Sequence, residues 1–267
     1  MTRIGQMFEE RKRAGRKSLI AYLTAGDPTP DRTPALVEAM LRGGADLIEL
    51  GVPFSDPIAD GPVIQRAGER ALKAGTSLRS VLEIAREIRQ RSEAPLLLFT
   101  YLNPVLRYGL ERLARDAAQA GIDGCLLTDA SVEEAHEYVG AMHGQGLDTV
   151  FLAAPTSTPR RLELVARYST GFVYLVSRTG VTGEQDSLSG STAPLVRAMR
   201  AITDLPLAVG FGISKPEQVA ELARQVDAVV VGSAFVRLIE RSSDNASLEI
   251  QLESFTRELK HGFGAQA

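Results

Sequence analysis

One carboxylate stands inside an otherwise apolar segment of the chain. Residues 47–52 read LIELGV, and in a strand the alternation of side chains places Leu47, Glu49 and Gly51 on one face. Burial among apolar groups disfavours a charged carboxylate, so the pKa rises toward the range in which an acid or base works at neutral pH. Glu49 is therefore the first candidate catalytic residue. The alternative is a structural glutamate paired with an arginine.

Two aspartates follow in residues 53–62, which read PFSDPIADGP. Asp56 precedes a proline and Asp60 precedes a glycine, and both pairs are ordinary turn sequences, so either residue could be only a turn former. The next apolar run starts 49 residues after Leu47, at Leu96. A connection this long favours a lid or a binding loop.

Glycine-rich segments follow two later apolar runs. Residues 210–213 read GFGI, and Gly232-Ser233 comes just before an apolar helical pattern. Glycines beside a helix N-terminus let backbone N–H groups approach a phosphate, although the same glycines could serve only tight turns. Tyr174 lies in another run, and the Gly- and Thr-rich residues 177–183 after it could close over a ligand or form an exposed connection.

Several other chemistries lack their residues. None of the five lysines falls on a predicted strand that faces a barrel interior, which disfavours Schiff-base chemistry. The three histidines have no metal-ligand spacing, so we expect no metal site. Cys125 opens a predicted strand and is interpreted as a core residue rather than a nucleophile.

The elements that must position these residues repeat along the chain. Eight short apolar runs alternate with helical patterns, and a Gly-x-Asp repeat precedes several of the runs. This pattern predicts a single (β/α)8 TIM barrel domain over residues 1–267, with an extra N-terminal helix around residues 6–13 that covers the barrel floor. An open doubly wound sheet is disfavoured because the first run continues into TAGDP, not into a Gly-x-Gly-x-x-Gly turn. The runs begin near Leu19, Leu47, Leu96, Cys125, Val150, Phe172, Leu207 and Ala228.

Charge and hydropathy exclude other classes of protein. The formal net charge is −3, with 30 basic and 33 acidic residues and no basic stripe, so nucleic-acid binding is not expected. No apolar stretch approaches the roughly 20 residues of a membrane span, and no signal-peptide pattern opens the chain. A lone cysteine agrees with a reducing compartment, and we expect a cytoplasmic protein.

Three motifs together resemble one known family. They are LGVPFSDP with ADGP at residues 50–57 and 59–62, SR with GVTG at 177–178 and 180–183, and GFGI at 210–213. The chain resembles the tryptophan synthase α-subunit family over essentially its whole length. The resemblance implies a lyase without its own cofactor, which cleaves indole-3-glycerol phosphate by a retro-aldol reaction to indole and glyceraldehyde 3-phosphate.

The resemblance also implies roles for individual residues. Glu49 would be the acid and base, Asp60 would stabilise positive charge at the indole nitrogen, and Tyr174 would orient Glu49. Thr182 would close the loop of residues 177–183 against Asp60. The phosphate would be held by Gly183, Phe211, Gly212, Gly232 and Ser233, and the indole pocket would be lined by Tyr22, Ile64, Tyr101 and Leu126.

A partner is implied as well, a β subunit that carries pyridoxal phosphate and receives indole in an αββα heterotetramer. Asp56, Pro57, Asn103 and Gly180 match positions at or near that contact. The chain departs from the family at residues 129–132, which read DASV where a proline-containing turn is usual. Loss of that proline should loosen a loop beside the partner surface.

Other functions stay open from the sequence. The chain could be a stand-alone lyase that releases free indole, or an inactive paralogue that regulates the β subunit, although retention of both Glu49 and Asp60 argues against the second. Another phosphate-binding barrel, such as a sugar-phosphate isomerase or epimerase, would leave the motif at residues 53–62 unexplained.

Overall fold

The parallel strands form one sheet that closes on itself. The structure, a computed structural model, describes residues 1–176, 189–210, 212–242 and 246–264, without the side chains of residues 189–191. In this part of the chain the order of strands is β5-β4-β3-β2-β1-β9-β8-β7-β6, and every pairing is parallel. The strands are β1 (Ser18–Thr24), β2 (Leu47–Gly51), β3 (Leu96–Thr100), β4 (Gly124–Leu127), β5 (Asp148–Val150), β6 (Leu152–Ala153), β7 (Val173–Val176), β8 (Leu207–Gly210) and β9 (Ala228–Val231).

Strands β5 and β6 are the two halves of one barrel strand, interrupted at Phe151. The first half pairs with β4 and the second half with β7. Across the interruption the Tyr174 N–H still donates to the Phe151 carbonyl at 3.1 Å. The barrel therefore has the eight strand positions that the sequence predicts, and a TIM barrel is confirmed.

Helices surround the barrel, and one of them precedes the first strand. The extra N-terminal helix is α1, which begins earlier than expected, at Arg3, because Thr2 accepts a hydrogen bond from the Gly5 N–H as its N-cap. None of the described helices is long and apolar enough to cross a membrane. The helices in the described ranges are α1 (Arg3–Arg13), α2 (Thr33–Arg42), α3 (Pro62–Lys73), α4 (Leu78–Arg89), α5 (Leu102–Tyr108), α6 (Leu110–Gln119), α7 (His136–Gly144), α8 (Pro159–Tyr168), α9 (Ser189–Arg200), α10 (Pro216–Ala223), α11 (Ser233–Ser242) and α12 (Leu248–His261).

Two apolar layers hold the barrel together. Along β2, Leu47 belongs to the cluster inside the barrel, whereas Ile48 and Leu50 belong to the layer between the strands and the helices. The alternation predicted for residues 47–52 is thus confirmed. Ile4 and Phe8 of α1 complete the interior cluster, so α1 closes the amino-terminal end of the barrel and leaves the carboxyl end for polar residues.

Candidate active site

A cavity opens at the carboxyl ends of the strands. Its walls combine apolar side chains with two carboxyl groups and two tyrosines. Such a mixture of an apolar pocket and a few convergent polar groups is typical of a small-molecule site. The described residues that line it are Tyr22, Glu49, Ala59, Asp60, Ile64, Phe99, Thr128, Leu152, Tyr174, Gly212, Ile213, Val230, Gly232 and Ser233.

Glu49 lies deep in this cavity, in the middle of β2. The residue is 1% exposed, and among the described residues its Oε1 atom has no hydrogen-bond partner. Burial without a compensating partner destabilises the carboxylate, and it raises the pKa of Glu49 from 4.5 to about 8. Glu49 is therefore protonated at neutral pH and can donate a proton.

Asp60 enters the same cavity from the loop between β2 and α3. The loop backbone is fixed by a hydrogen bond from the Asp60 N–H to the Pro57 carbonyl at 3.1 Å, and by one from Gln65 Nε2 to the Asp60 carbonyl at 2.8 Å. Burial raises the pKa of Asp60 from 3.8 to about 6, against the opposing effect of a hydrogen bond from Tyr101. At pH 7 Asp60 is mostly ionised, whereas Glu49 is mostly neutral.

Two buried tyrosines lie against glycines of neighbouring strands. A Cβ atom on Gly51 would come within 2.2 Å of the Tyr22 hydroxyl, and one on Gly210 within 2.1 Å of the Tyr174 hydroxyl. Any other residue at these glycines would displace the phenol groups. Gly210 thus permits the close approach of Tyr174, which is a different role from the phosphate contact that its sequence motif suggests.

The part of the cavity that follows β8 and β9 has the features of an anion site. Gly212 has a φ of 77°, which favours glycine. Gly232 and Ser233 also face the cavity, and Ser233 is the first residue of α11. Free backbone N–H groups and the helix dipole at such a helix start favour a bound phosphate.

Comparison with known proteins decides the family. The family model described as "Tryptophan synthase alpha chain" matches residues 8–263. A tryptophan synthase alpha chain of Solibacter usitatus is 81% identical over 267 residues, which is all of both chains. The chain belongs to the tryptophan synthase alpha chain family. Another alpha chain, of Geobacter sulfurreducens, is 47% identical and covers 99% of this chain and 100% of its own length.

Solved structures of tryptophan synthase share the fold. A Mycobacterium tuberculosis tryptophan synthase chain superposes with a TM-score of 0.90 at 38% identity, and the alignment covers 98% of each chain. The alpha subunit of Legionella pneumophila gives a TM-score of 0.89 at 35% identity, again over 98% of each chain. As an alpha chain, the protein is a lyase of tryptophan biosynthesis that cleaves indole-3-glycerol phosphate.

Most of the residues expected from the alpha-chain resemblance meet at the cavity. Tyr101 is buried with its hydroxyl on the Ala59 N–H of the Asp60 loop, and Leu126 is fully buried in the barrel interior. Thr182, Gly183, Phe211 and Gly180 lie outside the described residues. The residues that do line the cavity are Glu49, Asp60, Tyr174, Tyr22, Ile64, Gly212, Gly232 and Ser233.

Sequence reasoning missed several wall residues of this alpha-chain site. Phe99 packs edge-on against Tyr22, with ring centroids 5.2 Å apart, and Thr128 follows directly after β4. Leu152 lies on β6, the short second half of the interrupted strand. Each occupies the carboxyl end of a strand, so a search of all strand ends, and not only of polar motifs, would have found them. In the described ranges no group of three or more His, Cys, Asp or Glu side chains could hold a metal ion.

Proposed function

We propose that Glu49 and Asp60 perform the cleavage of indole-3-glycerol phosphate in this cavity. Glu49 would act as acid and then base, and Asp60 would balance positive charge on the indole nitrogen. The observation that carries the proposal is that the two carboxyl groups face one cavity with different pKa values, about 8 and about 6. Pairs of carboxyls with separated pKa values are typical of divided acid and base roles.

The reaction needs only the transfer of protons between groups that are present. The neutral Glu49 carboxyl donates its proton to indole C3, and the positive charge that develops on the ring nitrogen faces the Asp60 carboxylate. The resulting Glu49 carboxylate then accepts the proton of the side-chain hydroxyl next to C3. As the carbonyl of glyceraldehyde 3-phosphate forms, the bond to C3 breaks, and its electron pair returns to the ring to give neutral indole.

The remaining described groups are suited to bind the two ends of the substrate. Tyr22, Ile64, Phe99 and Leu152 form apolar walls for an indole ring. The Tyr174 phenol lies close enough to Glu49 for an electrostatic interaction between the two groups. We infer that Tyr174 orients this carboxyl. Gly212, Gly232 and Ser233 would hold the phosphate, and the loop with Thr182 and Gly183 would close over it.

The ionisation states set the pH range in which this mechanism works. Cleavage requires ionised Asp60, which is lost below about pH 6. It also requires protonated Glu49, which is lost above about pH 8. We therefore expect a bell-shaped dependence of kcat/KM on pH, with its maximum between these values.

No step of this mechanism uses a cofactor, and we propose that the chain has none of its own. Pyridoxal phosphate would belong to the β subunit that accepts indole. We further propose that residues 1–267 act as one catalytic domain in the cytoplasm. One barrel sheet and its continuous apolar core support the single domain.

A β subunit would dock on the outer side of the Asp60 loop, in an αββα assembly. Asp56 and Asn103 are exposed, and Pro57 is half-buried. Two apolar side chains stand out beside them, Ile58 at 78% exposure and Leu106 of α5 at 60%. Large apolar groups in a polar rim are typical of protein contacts. Gly180, also expected at this contact, lies outside the described residues.

The unusual segment DASV is attached to the same surface. Asp129 Oδ1 accepts a hydrogen bond from the Leu102 N–H, the first residue of α5, at 2.7 Å. We propose that β binding survives the missing proline, because this side chain anchors the loop to α5.

The experiment compares Glu49→Gln and Asp60→Asn with the unmodified chain by the release of glyceraldehyde 3-phosphate, with and without a β subunit. Glu49→Gln should lose at least about 100-fold in kcat while the substrate still binds, because an amide cannot exchange the proton. Asp60→Asn should also be strongly impaired. Glu83→Gln, an exposed change on α4, is the matched control. Full turnover in Glu49→Gln would refute the proposal.

A further inference from the structure

A cluster of charged side chains joins two helices that begin at the carboxyl end of the barrel. Arg70 of α3 donates to both oxygens of Asp27, from Nε to Oδ1 and from Nη2 to Oδ2, each at 2.8 Å. Its Nη1 atom donates to Glu240 Oε1 of α11 at 2.9 Å. Asp27 lies in the connection after β1, and its side chain is only 1% exposed. One guanidinium group therefore links this connection, α3 and α11.

A second arginine of α3 binds the same glutamate. Arg66, one turn before Arg70, donates to Glu240 from Nε to Oε1 at 2.7 Å and from Nη2 to Oε2 at 2.8 Å. Arg66 is exposed, and exposed ion pairs contribute little to stability. Asp27 is buried, and a buried carboxylate that loses its cation is strongly unfavourable. Arg70 is therefore the central residue of the cluster.

The two helices joined by Arg70 carry different parts of the proposed site. Helix α3 begins at Pro62, directly after the Asp60 loop, and its Ile64 lines the cavity. Gln65 of α3 donates from Nε2 to the Asp60 carbonyl at 2.8 Å. Helix α11 begins at Ser233, one of the proposed phosphate contacts. A movement of α3 relative to α11 would therefore change the distance between the indole and phosphate ends of the site.

The direct packing between α3 and α11 is apolar. Ile64 and Ala67 of α3 form one cluster with Val236 of α11 and Tyr22 of β1. Apolar contacts of this kind have no preferred direction, so they do not by themselves fix how one helix lies along the other. Arg70 follows Ala67 by one turn, and its planar fork of N–H groups does impose a direction. The charged cluster thus supplies what the apolar contact lacks.

We propose that Arg70 is a positioning residue, which holds α3 against α11 and so sets the spacing between the Asp60 loop and the start of α11. The proposal rests on the function proposed above, in which the two ends of the substrate bind at these two places. Arg70 is not among the described residues that line the cavity, so it acts through the helices. The intact substrate requires the correct spacing, because its two ends are covalently joined, whereas each end alone does not.

The test compares the full chain carrying Arg70→Lys with the unmodified chain. Lysine keeps the positive charge but lacks the planar fork, so it cannot hold both Asp27 oxygens and Glu240 together. The kcat/KM for indole-3-glycerol phosphate should fall at least about tenfold, since a displacement of about 1 Å is enough for such a loss. Indole and inorganic phosphate are the probes for the separate ends. Their inhibition constants should each change by less than about twofold, because neither molecule spans the two helices.

Arg89→Lys is the matched control. Arg89 is also partly buried and donates to a buried aspartate, Asp123 at 2.9 Å, but this pair lies at the amino-terminal end of the barrel. The control should lower stability and leave kcat/KM within about twofold of the unmodified value.

Glu240→Gln is a milder second variant, which decides the question if Arg70→Lys does not fold. It keeps the pair of Arg70 with Asp27 and weakens only the bonds to α11, so kcat/KM should fall by a smaller factor. The double variant Arg70→Lys/Glu240→Gln should be no slower than Arg70→Lys, because both changes break the same link.

Three results would overturn the proposal and retain the function. The first is an unchanged kcat/KM in Arg70→Lys and Glu240→Gln. The second is an equal loss for the intact substrate and for one of its separate ends, which would show damage within one part of the site. The third is an equal loss in Arg89→Lys, which would show a general effect of stability. Full turnover in Glu49→Gln would overturn the function, and this proposal with it.

Discussion

Glu49 illustrates at the residue scale how a proposed catalytic group can oppose folding. A raised pKa in the folded state means that the folded chain binds this proton more tightly than the unfolded chain does. The contribution of this proton to the free energy of unfolding is fully present below pH 4.5, the pKa of Glu49 in the unfolded chain. It is lost as the pH rises through about 8, the pKa in the folded chain. Above that pH the folded chain must hold an unpartnered buried charge.

Glu49→Gln should therefore become more stable than the unmodified chain as the pH rises. A shift from 4.5 to about 8 corresponds to a change of up to about 5 kcal/mol in the difference between their free energies of unfolding. Urea unfolding at pH 5 and pH 9 measures this change, since any fixed cost of the buried amide cancels between the two pH values. Parallel pH dependences for the two proteins would contradict it.

The Gly-x-Asp repeat has its explanation at the scale of elements. Asp46 and Asp123 of this repeat lie just before β2 and β4, and Asp227, whose segment lacks the glycine, lies just before β9, all at the amino-terminal end of the barrel. Each carboxylate accepts the N–H of a residue in a neighbouring strand and also pairs with basic side chains. The accepted groups are the N–H of Leu19 at 2.7 Å, of Leu96 at 2.9 Å and of Leu207 at 2.9 Å. The repeat therefore joins successive strands at the floor, far from the cavity.

Asp123→Ala should lower stability without changing the chemistry. The substitution leaves the Leu96 N–H without its acceptor and removes the carboxylate that accepts from the Arg89 guanidinium, both at 2.9 Å. We expect a loss of about 3 kcal/mol in the free energy of unfolding. The kcat of the folded protein, measured well below its Tm, should stay within about twofold of the unmodified value. The amino-terminal end of a TIM barrel contributes to stability, whereas the carboxyl end carries the catalytic residues. Asp123→Asn, which keeps an acceptor oxygen for Leu96, should lose less, and a large fall in its kcat would argue against this division.

In the molecule as a whole, the amino-terminal end of the barrel contributes to stability. The carboxyl end carries the proposed catalytic site and the proposed contact with the β subunit. At the carboxyl end, Asp60 faces the cavity while Ile58, two residues earlier, is exposed. The segment that carries Asp60, a proposed catalytic carboxylate, is thus also the segment proposed to meet the β subunit. Partner binding and catalysis are expected to share this loop.

Ile58→Asp should weaken the affinity for a β subunit by at least about tenfold, because it places a charge in the apolar part of the contact. A calorimetric titration with the β subunit measures this affinity directly. The control is the same substitution at Ile250, which is 71% exposed on α12. Equal affinities for the two variants would contradict the proposed docking surface.

The sequence by itself determined the elements and the principal catalytic candidates. Apolar runs and glycine-ended helices repeat locally, and a lone carboxylate in an apolar strand contrasts with its neighbours, so the barrel and Glu49 could be predicted. The interruption at Phe151 and the earlier start of α1 differed from expectation by only a few residues, because local capping and pairing decide such boundaries.

Only the tertiary structure decided which distant residues act together. Ala59 and Tyr101 are 42 positions apart along the chain, yet closure of the barrel brings the N–H of one to the hydroxyl of the other. The same closure places the Tyr174 phenol on Gly210 and leaves Leu126 in the interior below the cavity. Periodicity records which face of an element is buried, but it carries no information about the neighbour that covers that face.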